Sequence, residues 1–80
     1  MIKNEIKNEI KKIIEDNIKD ATINIFSKDN MHFNATIVSD IFNNKTLLER
    51  QKLIYSLLEN LITSGKIHAL SFKTYTYKEN

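Results

Sequence analysis

A single histidine, His68, stands in the run Gly65-Lys66-Ile67-His68-Ala69-Leu70-Ser71-Phe72-Lys73-Thr74-Tyr75-Thr76, the most β-prone stretch of a chain that has no cysteine and one other histidine, His32. Neutral imidazole is the commonest metal ligand among side chains, and its charge changes near neutral pH. A histidine placed where a helix hands over to a strand is therefore the first candidate for chemistry. A site closed by this chain alone needs both imidazoles on one ion, with each nitrogen roughly 2.0–2.1 Å from it. Strand parity argues against that. His68 shares parity with Leu70 and Phe72, which puts it at the rim of a covered face. His32 alternates against Phe33, Ala35 and Ile37, which puts it on the open face. The two histidines should diverge, and a metal would then need ligands from outside the chain.

The elements that position these residues follow from periodicity. Ile2, Ile6, Ile10, Ile13, Ile14 and Ile18 recur at spacings of four and three, one stripe of an amphipathic helix that Asn17 to Asp20 should end. The duplicated Ile-Lys-Asn-Glu at 2–5 and 6–9 belongs to that helical period. Residues 21–26 read as a short strand with Ile23 and Ile25 on one face. Ser27-Lys28-Asp29-Asn30 is turn chemistry, because Asp and Asn side chains bond their own backbone and tolerate left-handed geometry. A second strand starts at His32, and residues 40–45 form a connector with room for one helical turn. Thr46-Leu47-Leu48-Glu49 is a capping box. It opens a helix over about 46–63 whose apolar arc holds Leu47, Ile54, Tyr55, Leu58, Leu61 and Ile62. Gly65 ends that helix as a left-handed cap, and a last strand runs from about Ile67 to Tyr75. The order αββαβ predicts a single α+β domain over residues 1–80, two layers deep, with a three-stranded mixed sheet and both helices on one face.

Composition bounds the function. Eighty residues bury only about 60–65% of the surface of the unfolded chain, so the core is thin. The absence of cysteine removes disulfides, zinc fingers and thiol nucleophiles. With Gly65 the only glycine, the sequence holds no GxGxxG, no P-loop and no GxxG loop. No apolar run approaches the roughly 20 residues of a membrane span, and the N-terminus fits neither a signal nor a transit peptide. The expected location is the cytoplasm. The net charge is only +2, thin support for nucleic acid. Residues 1–20 carry five Lys against five acids. Residues 45–78 carry Lys45, Arg50, Lys52, Lys66, Lys73 and Lys78 against Glu49 and Glu59, so the second half is mildly basic. Richness in Ile, Asn and Lys fits an AT-biased genome, which weakens any reading of single lysines.

Arg50 and Lys52 flank Gln51 on the second helix and point to its margins. Together with Lys66 and Lys73 they form the candidate partner- or nucleic-acid-binding edge, beside the blander reading of a solvated rim. Gln51 falls mid-arc and must find partners or water. Tyr75 and Tyr77 interleave with Thr74, Thr76 and Lys78, a pattern able to stack bases and equally ordinary in a strand. No carboxylate pair, Ser-His-Asp set or His pair at i, i+4 is present, and no enzymatic activity is expected.

The segment from His32 to Thr76 resembles the BolA family. The matching residues are His32-Phe33 opening a strand, Val38-Ser39-Asp40 followed by Phe42, Arg50 ahead of Leu53-Ile54-Tyr55, and above all Ile67 to Thr76. There are three departures. Arg50-Gln51-Lys52 stands where Arg-His-Arg is usual, as in the short bacterial BolA-like branch. The loop before His32 lacks the family's Cys or His. Thr76-Tyr77-Lys78-Glu79-Asn80 replaces Thr-Pro-x-x-Trp, so a terminal helix should be absent or frayed. The resemblance implies a type II KH-like layout. It also implies a partner, a monothiol glutaredoxin, with a bridging [2Fe–2S] cluster for which glutaredoxin and glutathione supply thiolates and His68 an imidazole. His32 is a lesser candidate for the second ligand, since the usual loop residue is missing. Such an adaptor would serve cluster trafficking or iron sensing. The isolated chain is expected to hold no cofactor and to be a monomer or weak homodimer. The alternative is a DNA-binding transcriptional regulator of stress or morphology genes.

Overall fold

The computed structural model describes residues 5–80. Ile2 and the first Ile-Lys-Asn-Glu copy lie outside or at the margin of that range. The elements are α1 (Glu5–Asn17), β1 (Thr22–Phe26), β2 (His32–Val38), a 3-10 turn (Asp40–Phe42), α2 (Leu47–Thr63) and β3 (Ala69–Tyr75). The strand order is β1-β2-β3. β1 and β2 pair antiparallel, with Ile23 opposite Ile37. β2 and β3 pair parallel, from His32 opposite Ala69 to Val38 opposite Tyr75. This is the expected α+β architecture, a mixed sheet with two helices.

The core lies between the helices and one face of the sheet. Ile10, Ile14 and Ile18 of the first stripe are buried against Ile23, Phe33, Ile37, Phe42, Ile54, Leu58, Leu61 and Ile67. Each such side chain contributes about 1.5–3 kcal/mol when fully withdrawn from water. The arc of α2 is narrower than its sequence pattern. Ile54, Leu58 and Leu61 are buried, with Leu53 and Leu57 partly so, whereas Leu47 and Tyr55 are exposed. Leu47 is the first residue of the helix, ahead of the point where α2 meets the sheet.

Local signals act as their chemistry requires. Thr46 accepts from the Glu49 N–H and donates its own N–H to the Glu49 carboxylate, closing the capping box. Gly65 takes φ +84°, with nothing within 4 Å of where a Cβ would sit, so its role is conformational. In the β1–β2 turn Asn30 is left-handed at φ +62°, and Asp29 Oδ1 accepts from the N–H groups of Met31 and His32 at 3.0 and 2.9 Å.

Past the ends of β2 and β3 a second polar assembly closes the sheet. Buried Ser39 donates to the Asp20 carboxylate, which also accepts from the Asp40 N–H at 2.9 Å. Both bonds hold the Asp20 carboxyl below its ordinary pKa, with Ser39 first in effect. Thr76 and Glu79 form another reciprocal cap at 2.9 and 3.1 Å, so the C-terminal sequence folds as one turn. Arg50 grips the Glu79 carboxylate at 2.8 and 3.1 Å and lies 5.8 Å over the Phe42 ring.

Candidate functional site: two imidazoles at the start of the parallel strand pair

His32 is the first residue of β2, directly after the Asp29 turn. His68 precedes β3 by one residue. The expectation that the two side chains diverge is overturned: the ring centres lie 6.4 Å apart, inclined at 61°. The reason is a local break in the pleat. The N–H groups of His68 and Ala69 both donate to Met31 O, at 3.1 and 3.2 Å. Two successive residues thus address one carbonyl, the pattern of a bulge, and strand alternation starts only at Ala69. Parity carried back to His68 gives the wrong side.

Both rings are accessible. The His32 side chain is 62% exposed, and His68 is likewise exposed. The His68 ring makes no hydrogen bond among the described residues, so its nitrogens are free. His32 is held: its Nδ1–H donates to Asp29 Oδ2 at 2.6 Å. Asp29 in turn is held well below the usual carboxylate range, first by the His32 N–H, then by the Met31 N–H and the His32 ring. Sequence reading placed Asp29 in a turn and gave it no part in the site. The available signal was an Asp three residues before a histidine, where one carboxylate can cap the turn and reach the ring.

The proposed basic edge is not brought together. Arg50 is 12% exposed and engaged by Glu79, which raises its pKa further; it is a structural clamp. Lys66 pairs with Glu9 of α1 at 3.5 Å. Arg50 lies in the first turn of α2 and Lys66 follows its end, with about 20 Å of helix between Arg50 and Thr63 at 1.5 Å per residue. Lys52 and Lys73 are exposed. Tyr77, a candidate for stacking, donates to the Asp20 carbonyl and lies 2.8 Å from the Thr22 hydroxyl. A groove of about 680 Å³ on the sheet is lined by Gln51, Tyr55, Phe72 and neighbours and includes neither histidine.

Among the described residues no three His, Asp or Glu side chains converge as a closed metal site. The donor set is two exposed nitrogen ligands and no thiolate. It fits a metal group whose other ligands come from a second molecule, and it does not fit a self-contained centre.

Comparison with known proteins gives the class. The family model for BolA-like protein matches residues 2–79, and the chain belongs to that family. An uncharacterised protein of Buchnera aphidicola is 51% identical over 51 residues, 64% of this chain and 65% of the relative. The DNA-binding transcriptional regulator BolA of Escherichia coli is 47% identical over 49 residues, 60% of this chain and 45% of the relative. The chain thus matches less than two thirds of either relative's length. Among solved structures, the BolA domain of SufE1 from Arabidopsis thaliana superposes with a TM-score of 0.82 at 32% identity, covering 91% of this chain and 93% of that one.

Proposed function

We propose that this protein is an iron–sulfur adaptor that pairs with a monothiol glutaredoxin and offers His68 as a ligand to a shared [2Fe–2S] cluster. The observation that carries the reading is His68 itself: an exposed imidazole without hydrogen bonds among the described residues, beside a second exposed imidazole, in a chain with no cysteine. Such a chain can complete a coordination sphere that another molecule begins, and it has no thiolate with which to hold an iron–sulfur cluster by itself. The cluster is cargo, and the thiolates belong to the glutaredoxin and its glutathione. Imidazole in place of thiolate raises the potential of a cluster and makes one ligand protonatable, properties suited to trafficking or sensing. The residues of this chain position the ring. Met31 O fixes the backbone at His68, and the parallel pairing of Ala69 with His32 holds the two rings on the same edge.

The test is to add the purified protein to cluster-loaded monothiol glutaredoxin and follow visible absorption and circular dichroism. The native chain should change both spectra, and His68→Ala should abolish the change. An unaltered response from His68→Ala would remove the imidazole from the coordination sphere.

A second reading, DNA-binding regulation, is favoured by the name of the Escherichia coli relative. Against it stand the small net charge and the engagement of Arg50 and Lys66 in ion pairs. Binding driven by phosphates weakens steeply with salt. Duplex affinity that is absent, or flat between low and physiological salt, would eliminate this reading.

A further inference from the structure

We infer that Asp29 is a positioning residue: it clamps the His32 ring through Nδ1 and so presents His32 Nε2 beside His68, giving one chain two imidazole donors for a divalent ion of the zinc class. The inference rests on the reading above for the role of His68, and deepens it by naming the second donor and what orients it.

Asp29 sits in a turn where one carboxylate oxygen is fixed by two backbone N–H groups, from Met31 and His32. That fixes the direction of the other oxygen, 2.6 Å from His32 Nδ1. A carboxylate only accepts, so Nδ1 must carry the proton, and in the neutral ring Nε2 is then the bare lone pair. A carboxylate behind a histidine is the usual outer support of a metal-ligating imidazole, setting its tautomer and orientation. Here the support is built from local chain alone, three residues before the ligand. Two imidazoles on one tetrahedral ion, each nitrogen about 2.0–2.1 Å from it, place their ring centres about 5 Å apart. The observed 6.4 Å leaves roughly 1 Å to close, and the His68 ring, exposed and without hydrogen bonds, is free to rotate. The division of labour is clear: His32 is pre-set, and His68 moves to meet it.

The full chain, ¹⁵N-labelled at histidine, tests this with zinc alone as the probe and no glutaredoxin present. Before metal, the ¹⁵N spectrum should show His32 protonated at Nδ1 and bare at Nε2. On titration the signals of both histidines should shift together at one equivalent. His32→Ala and His68→Ala should each weaken zinc at least tenfold. Asp29→Asn retains an oxygen to cap the turn; it should release the His32 tautomer and weaken zinc by about tenfold to a hundredfold. His32 protonated at Nε2 in the native chain, or zinc affinity unchanged by His32→Ala, would overturn the inference, and neither depends on Asp29→Asn keeping its fold. Zinc bound as described, with no cluster shared with glutaredoxin, would sink the adaptor reading and leave this one standing. A shared cluster lost in His68→Ala, together with zinc affinity unchanged by His32→Ala, would do the reverse.

Discussion

The two ends of the β2–β3 pair use similar polar residues in opposite ways. At the carboxyl ends, Ser39, Asp20, Thr76, Glu79 and Arg50 engage one another, and Ser39 and Thr76 are buried. At the amino ends, Asp29, His32 and His68 share one side-chain bond, and the two rings stand in water. A network with its donors and acceptors matched closes a fold; a cluster with nitrogen lone pairs left over can receive something. The first end is structural, and the second carries the proposed binding site. Most open α/β sheets place ligands beyond the carboxyl ends of their strands, whereas the site proposed here lies at the amino ends of β2 and β3.

That contrast can be broken or sharpened by substitution, beginning with the largest effect. Phe42→Ala should cost about 3–5 kcal/mol in urea denaturation, since it empties a fully buried site beneath Arg50. Glu79→Gln should act through pH. The Arg50 guanidinium and the Thr76 N–H hold the Glu79 carboxyl down to about 2, from an ordinary value near 4.5. Its stabilising effect is therefore complete above about pH 4.5 and lost as pH falls toward 2. The variant should be less stable at neutral pH and show a flatter acid limb, measured as denaturation midpoint against pH; an acid limb like the native one would remove the clamp from the account. Thr46→Ala should cost about 1 kcal/mol by loss of the α2 cap. Thr74 is buried with its hydroxyl unpaired among the described residues, so Thr74→Val should be neutral or stabilise by about 1 kcal/mol. His32→Ala and His68→Ala should change stability least, within about 0.5 kcal/mol, while each weakens binding. A large loss of stability in either histidine variant would make the amino end structural as well.

Much of this was legible in the residues. Isoleucine spacing gave α1, Thr46 and Glu49 gave the start of α2, and Gly65 gave its end, because each depends on chain-local chemistry. What depended on tertiary pairing was not legible. Arg50 reads as a free cation until Glu79, 29 residues later, is seen to fold back on it. Leu47 reads as apolar arc because a helical wheel does not say where the sheet begins. The histidines read as divergent because alternation was extended one residue past the bulge at Met31 O. Thr76-Tyr77-Lys78-Glu79 has a capping-box spacing, and although it departs from Thr-Pro-x-x-Trp it still closes one turn.

The central claim is that an exposed ring on this chain touches iron held mainly by another molecule. Pulsed electron paramagnetic resonance on the reduced complex with cluster-loaded monothiol glutaredoxin, with ¹⁵N-histidine in this chain alone, reads that contact directly. Strong ¹⁵N coupling that disappears in His68→Ala is the predicted result. A reduced cluster with no ¹⁵N coupling from this chain would contradict it.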